Sequence, residues 1–189
     1  MSGSNIFMQL ITATGPVVGE CLLDGYWGSI ELKDFNWGMQ ALKDSKPNEG
    51  MSLGGLANAA KGLIGLGDLV SVQLEPLTFT KRFDVASSKI HTCLDQHLLI
   101  LSASITVVHV RKGGLIPYQP GFVLLATKGY FAEVDVQTQA DGNALEIVET
   151  CTLNFDRITM TYLKTLNMMG LGENNVPTMP FSCGQNTLI

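Results

Sequence analysis

Alternating apolar residues that change phase partway along a β-segment constrain this fold more than any other feature of the sequence. Ile30 and Leu32 share one parity, whereas Phe35 and Trp37, in the same segment, take the other. Because successive side chains of a strand point to opposite faces, one regular strand cannot bury all four. A β-bulge near Lys33–Asp34 would bring both pairs to one face, and Trp37 is therefore expected in the core.

The same change of phase recurs twice along the chain. It falls near Pro76 in residues 70–81 and at Asp156–Arg157 in residues 150–162. Bulges let a sheet curl into a barrel or turn a corner between packed sheets. A tight turn joining two short strands at each position would give the same pattern, so both interpretations stay open.

Strand-like segments fill most of the remaining chain, and turn residues at regular intervals separate them. The sequence thus predicts a mainly β fold: a small antiparallel β-barrel or two-sheet sandwich with one flanking α-helix and a long extended loop. Further strands are expected at residues 5–11, 99–111, 121–126 and 130–138 and from Ala144, with turns at Gly15–Pro16, Lys128–Gly129 and Asp141–Asn143.

The flanking helix is expected over residues 85–97. Asp84 can cap its N-terminus, and Ile90, Cys93 and Leu94 fall on one face at helical spacing.

Two segments show no clear strand or helix period. Residues 40–68 are glycine-rich and are interpreted as an extended loop with at most a short helix over 55–66. A loop of this length is usually functional or disordered. Residues 166–189 are expected to form an irregular tail, which leaves one β-barrel domain over residues 1–165.

The chain carries few charges for its size. Charged residues make up 15% of the 189 residues, against about 25% in typical globular proteins. This shortfall fits a protein that buries surface against copies of itself, although a monomer with an apolar surface would have the same composition. A net charge of -5 without a Lys/Arg cluster argues against partners such as nucleic acid or a membrane surface.

The first twenty residues contain no Lys or Arg and no continuous apolar stretch, so no cleavable export signal is predicted. The longest apolar runs are too short to span a bilayer. Four cysteines without a CxxC pair are expected as small core or semi-exposed thiols of a protein made in the reducing cytoplasm.

No catalytic, metal-binding or cofactor-binding constellation emerges from the sequence. His91 and Asp95 lie four apart on the predicted helix, but no third metal ligand accompanies them. Cys93 and His97 could pair as nucleophile and base, yet no third orienting group is in view. His109 is better interpreted as a hydrogen-bonded strand residue. The chain is therefore predicted not to be an enzyme and to hold no cofactor.

Three segments, taken in order, resemble the Hcp (hemolysin-coregulated protein) family of bacterial type VI secretion systems. They are Gly28–Gly38, which ends in Trp-Gly; Leu77–Ser87, which runs from Phe-Thr-Lys to Asp-x-Ala-Ser; and Thr152–Tyr162, which contains Leu-Asn-Phe. The resemblance covers residues 5–165. Phe7–Leu10, Ile105–Val107 and Arg111–Gly114 add weaker support.

The resemblance implies a small β-barrel flanked by a helix, assembled into six-fold rings that stack into a tube. It implies a structural subunit that works with the type VI sheath, spike and effector proteins, is cytoplasmic when assembled, and is secreted without a cleavable signal. The chain departs from the family pattern in the longer 40–68 loop, in Ser88 where many members have Pro, and in the extra tail.

Trp27, beside Tyr26 and Gly28, is the aromatic residue best suited to an interface, and the low charge of the 40–68 loop makes it a second candidate. The alternative function is a monomeric ligand-binding β-barrel module, with a hydrolase a distant third. Bulky inward residues would leave no ligand cavity. The predicted interface residues are Trp27, Leu53, Gly54, Gly55, Leu56, Leu63, Ile64 and Leu66, and the predicted interior residues are Trp37, Phe79, Phe155 and Tyr162.

Overall fold

A computed structural model describes residues 5–42, 71–110, 118–142, 144–162 and 178–184. In these ranges the chain forms mostly β-structure with a single helix, α1, over Val85–Asp95. The strands are β1 (Ile6–Thr12), β2 (Gly15–Val17), β3 (Ile30–Asn36), β4 (Met39–Leu42), β5 (Ser71–Leu74), β6 (Leu77–Arg82), β7 (Ile100–Val110), β8 (Tyr118–Asp141), β9 (Ala144–Tyr162) and β10 (Thr178–Gly184).

Six antiparallel strands close into a barrel. The order is β9-β6-β3-β1-β7-β8, and β8 pairs with β9 to complete the circle. Strands β2 and β10 extend the sheet by pairing with β1 and β9, while β4 and β5 form a separate two-stranded sheet. The predicted fold class is confirmed.

The bulge predicted in the second strand is present. The register of β3 against β6 shifts between Leu32 and Asp34, so that the two apolar pairs turn to the same side. Phe35 and Trp37 are both partly buried and pack against the core, which confirms the placement of Trp37.

At Pro76 the alternative of two short strands is the correct one. Strand β5 ends at Leu74 in the small sheet, and β6 begins at Leu77 in the barrel. A proline has no N–H to donate to a ladder, so the chain leaves one sheet here before it enters the other.

The third change of phase lies within a continuous strand. Phe155 and Ile158 of β9 are both buried although their parities differ. The register against β8 does not shift at this point; instead Lys128, on the opposing strand, adopts a left-handed φ of 55°. The predicted turn at Lys128–Gly129 is therefore wrong, because β8 bends there and continues as one strand.

Most of the remaining local predictions hold with small differences in length, but the turn predicted at Gly15–Pro16 is wrong, because the chain turns at Ala13–Thr14 and Gly15–Val17 form β2. Strands β1 and β7 begin and end within one residue of their predicted limits, and β8 and β9 join in a tight hairpin at Gly142, whose φ is 61°. Helix α1 ends at Asp95, two residues early, because His97 adopts a left-handed φ of 47° just after the C-cap.

The irregular tail predicted over 166–189 is wrong for Thr178–Gly184, since these residues form β10 and pair with β9. The missed strand follows Pro177 and contains Pro180, which weakened its local pattern. The helix considered over 55–66 lies outside the described residues, and the division into a barrel domain and a tail stays a prediction.

The barrel interior is filled by large apolar side chains. Phe79 and Phe155 are buried, as predicted, and the ring of Phe79 meets that of Phe131 edge-on at a centroid distance of 6.2 Å. Tyr162 is the exception, because its side chain lies at the end of β9 and is 55% exposed. Ile90 and Cys93 of α1 are buried and extend this core outside the sheet.

Candidate assembly surface

A buried ionic network fixes α1 to the barrel. Lys81 and Glu149 are fully buried on adjacent strands β6 and β9, with Lys81 Nζ 2.7 Å from Glu149 Oε1. The same ammonium donates to Asp84 Oδ1 at 2.6 Å and to Ser87 Oγ at 3.0 Å. Ser87 Oγ in turn donates to Glu149 Oε1 at 2.9 Å. Every member has several partners, as buried charges require.

This network also caps the helix. The Asp84 carboxylate accepts from the N–H of Ala86 at 2.9 Å, and the Asp84 N–H donates to Ser87 Oγ at 3.0 Å. The Asp84 side chain also accepts from the N–H of Ser87, and together with the bond from Asp84 N–H to Ser87 Oγ this makes a reciprocal capping box, which satisfies N–H groups that a helix start leaves unpaired. The Thr-Lys and Asp-x-Ala-Ser elements of the sequence motif thus have a physical reason: they form one capped, charge-neutralised joint.

A compact loop between β2 and β3 presents Trp27 to solvent. Tyr26 stacks on the buried Phe7 with ring centroids 4.6 Å apart, and Cys21 is buried beside them. Backbone bonds from Gly19 to Gly28 O and from Gly28 to Cys21 O tie the loop to itself. Three of its exposed residues are apolar, namely Val18, Leu22 and Trp27, the last exposed to 78%, and they lie beside the exposed Glu20 and Asp24. We refer to residues 18–28 as the Trp27 loop.

A β-ribbon, formed by residues 135–141 of β8 and 144–150 of β9, reaches beyond the other strands. Pairing with β6 stops at Val148, so among the described strands only β8 and β9 form the ribbon tip. On one face lie Gln139 and Glu146, which accept hydrogen bonds from Lys33 Nζ at 3.2 and 2.6 Å. Glu146 also pairs with Arg82. The hydrogen bond from Lys33, followed by the charges of Arg82 and Lys33, lowers the pKa of Glu146 against a smaller opposing effect of burial.

The opposite ribbon face is apolar and faces water. The register pairs Thr138 with Ile147 and Ala140 with Leu145, so these side chains share a face with Val136. Leu145 is 79% exposed, Ile147 52% and Val136 43%. Phe83 adjoins them, because its N–H donates to the carbonyl of Ile147 at 3.0 Å, and half of its side chain is exposed.

The loop and the ribbon flank the start of α1. Glu20 Oε1 of the Trp27 loop accepts from the N–H of Val85 at 3.2 Å, two residues after Phe83 at the ribbon. Val85 is itself exposed. Exposed apolar groups gathered in this way mark interaction surfaces more often than isolated ones do.

The histidines and thiols are not brought together. His91 Nε2 lies 3.3 Å from Glu149 Oε2, His97 is exposed after the helix, and exposed His109 lies over Gly121 of β8. Cys93 is buried on the core face of α1. Among the described residues no group of three or more potential ligands is placed to hold a metal ion.

The described thiols behave as core groups. Cys21, Cys93 and Cys151 are free and buried, in agreement with the prediction, and burial is the main cause that raises the pKa of each. The side chain of Cys183 lies outside the described set. In the described parts of the chain no helix has the length and apolarity needed to cross a bilayer.

Of the predicted interface residues, the structure describes Trp27 alone, and it is exposed. Leu53, Gly54, Gly55, Leu56, Leu63, Ile64 and Leu66 lie outside the described residues, so their role stays a prediction. The ribbon face was missed. Its indication in the sequence is the alternation of Leu145 and Ile147 with Glu146, which continues past the point where the barrel ends.

Comparison with known families settles the relationship. The family model described as "Type VI secretion system effector, Hcp" matches residues 7–162, which include every barrel strand except the first residue of β1. The chain belongs to the Hcp family. No curated protein matches it by sequence.

Solved Hcp structures share the fold at low sequence identity. A mutant of Hcp1 from the E. coli EAEC 042 pathovar superposes with a TM-score of 0.68 at 15% identity, covering 96% of this chain and 99% of that one. Hcp1 from Salmonella typhimurium gives 0.61 at 17% identity, with 96% and 95% covered. The secreted protein Hcp3 from Pseudomonas aeruginosa gives 0.62 at 11% identity, with 96% and 98% covered. These likenesses confirm the Hcp-like barrel, and the family membership makes the chain a structural protein of a type VI secretion tube.

Proposed function

We propose that this protein is a self-assembling subunit of the type VI inner tube. In this proposal six copies close into a ring, rings stack into a tube, and a contractile sheath propels the tube from the cell together with its spike and effector cargo. The role is structural and needs no cofactor or reaction.

The observation that carries the proposal is the match of the Hcp family model across the whole barrel. The filled interior supports an architectural role over the alternative of a monomeric ligand-binding barrel, since Phe79, Phe131 and Phe155 occupy the space that a ligand would need.

The Trp27 loop is proposed as one side of the contact between neighbouring subunits. Trp is enriched among residues that dominate interface energetics, and a rigid, exposed Trp loses little conformational entropy when it is buried. Stacking of Tyr26 on Phe7 keeps the loop in one conformation before any partner arrives. The 40–68 loop, including Leu53–Leu56 and Leu63–Leu66, is proposed to contact the adjacent subunit or ring.

The test compares purified wild-type protein with Trp27→Ala and with Asp24→Ala, a matched change of an exposed residue in the same loop. Negative-stain images and light scattering should show uniform rings for wild type and Asp24→Ala. Trp27→Ala should raise the concentration at which half the protein is assembled by about thirtyfold, corresponding to a hot spot of about 2 kcal/mol.

A second arm examines secretion. A tagged copy should reach the medium of type VI-competent cells and stay inside cells that lack the sheath. Wild-type protein that remains monomeric from micromolar to millimolar concentration, and that is not exported with the sheath present, would refute the proposal.

A further inference from the structure

The ribbon is amphipathic, with its polar face bonded to the barrel and its apolar face exposed to solvent. Its polar face is held to the outside of the barrel by Lys33 and Arg82, whereas the face carrying Val136, Leu145 and Ile147 is left to solvent. A two-stranded ribbon alone is marginally stable in water. An exposed apolar face at its tip is therefore a surface that a partner would stabilise.

We infer that this apolar ribbon face receives the Trp27 loop of the next copy of the chain. The inference rests on the proposed function and specifies the contact on which ring closure would depend. A head-to-tail contact needs two different patches on every copy, whereas a two-fold contact uses one patch twice. The described part of the chain presents two such patches, the aromatic Trp27 loop and the apolar ribbon face, each joined by a hydrogen bond to Phe83–Val85 at the start of α1.

The chemistry of the two patches agrees. The apolar ribbon face has no charged side chain between its tip and Glu149, which is fully buried and bonded to Lys81. In the Trp27 loop, Glu20 already accepts from the backbone of Val85. With Asp24, the other exposed carboxylate of the loop, at the solvated rim of the contact, burial of one patch on the other would require little desolvation of charge.

The size of the ribbon surface also fits a subunit contact. Val136, Leu145, Ile147, Phe83 and Val85 are each 43 to 79% exposed and together present on the order of 300–500 Å² of apolar surface. A standard interface buries about 800 Å² per partner, of which a little over half is apolar. The ribbon and its surroundings can supply that apolar share.

The first experiment removes apolar groups without adding charge. Leu145→Ser/Ile147→Ser is compared with Asp135→Ser/Gln137→Ser, which alters exposed residues on the polar ribbon face. Circular dichroism first confirms that both variants fold. The apolar pair should raise the half-assembly concentration by at least about tenfold, and the control pair by less than about twofold.

The second experiment identifies the partner patch. A chain in a Cys183→Ser background that carries both Trp27→Cys and Leu145→Cys is concentrated until light scattering shows assembly and is then treated with a short bismaleimide. Each single variant and the Cys183→Ser parent, whose thiols at Cys21, Cys93 and Cys151 are buried, are treated alongside. The double variant should give a ladder from dimer upward, because each copy offers one thiol to each neighbour. The single variants should not give a ladder.

The outcomes separate the inference from the function. The ribbon contact is overturned if Leu145→Ser/Ile147→Ser forms rings with the same half-assembly concentration as the wild type, or if Leu145→Cys alone is cross-linked into dimers. Either result leaves the proposed tube function standing. A wild-type chain that never assembles overturns both.

Discussion

Loss of one charge from the buried joint between α1 and the barrel should destabilise the protein far more than loss of a surface pair. In Lys81→Met the carboxylate of Glu149 loses its 2.7 Å partner while it stays fully buried. Ser87 alone would still donate to the same oxygen, and His91 would lie 3.3 Å from the other one. Removal of one member of a buried pair typically costs about 3–5 kcal/mol.

The reverse change should be milder. In Glu149→Gln the ammonium of Lys81 keeps Asp84 Oδ1 at 2.6 Å and the carbonyl of Arg82 at 2.7 Å, so a counter-charge remains. We expect a loss of about 1–3 kcal/mol, typical of a weakened buried hydrogen bond to a charged group. The double variant Lys81→Met/Glu149→Leu removes both charges and should cost less than the sum of the single changes at these positions.

The assay is urea unfolding followed by circular dichroism at pH 7 and a fixed protein concentration, since assembly would shift the apparent stability. Lys33→Met, which removes an exposed partner of Glu146, is the control and should cost no more than about 1 kcal/mol. For a chain of this length, each kcal/mol corresponds to about 2–4 °C in Tm. A cost of Lys81→Met equal to that of Lys33→Met would show that the buried joint does not hold the helix.

Two further predictions concern β8 and the ribbon. Gly129→Ala should lower the free energy of unfolding by about 1–3 kcal/mol, because an added Cβ would collide with the backbone carbonyl of Asn154. Gly142→Ala, at an open turn with φ of 61°, should cost about 1–2 kcal/mol from backbone strain alone. Urea unfolding measures both losses, and a Gly129→Ala variant as stable as the wild type would contradict the predicted collision. The pKa of Glu146 is lowered in the folded protein, so its ion pairs stabilise the fold above the ordinary carboxyl pKa of about 4.3, and this contribution is lost as the pH falls through the folded value. Glu146→Gln should therefore reduce the stability difference between neutral and acidic pH by about 0.2–1 kcal/mol, measured by thermal unfolding across that range. An unchanged pH profile would contradict the role of these pairs.

Most strands of the barrel could be predicted from the sequence, because the alternation of apolar and polar residues along a strand is a local property. The bulge between Leu32 and Asp34 followed from four apolar residues alone. At Lys128 the sequence predicts a turn where the strand bends, because local residues cannot reveal that β7 and β9 continue to pair with β8 on both sides of it. The pairing of β8 with distant strands decides between a turn and a bend at this position.

Strand parity also indicates the buried joint between α1 and the barrel. Lys81 shares the inward parity of Leu77 and Phe79, and Glu149 shares that of Cys151, so each strand carries one charge on its core face. Two opposite charges placed in this way suggest a buried pair. Their separation along the chain and the intervening helix hid the match, as only the register of β6 against β9 brings them together.

Closure of the barrel has a consequence for how the chain reaches its native state. Phe7 pairs with Thr106, and Phe79 with Cys151, so the cylinder closes only when strands that are distant in sequence pair with one another. Contacts of this kind make folding slow, since loop entropy is lost before the pairing stabilises it. During synthesis β6 and β8 are made before β9, so the backbone groups that pair with β9 stay without that partner until it is made. Once β9, the last strand of the barrel, has paired with both, these edges are no longer exposed.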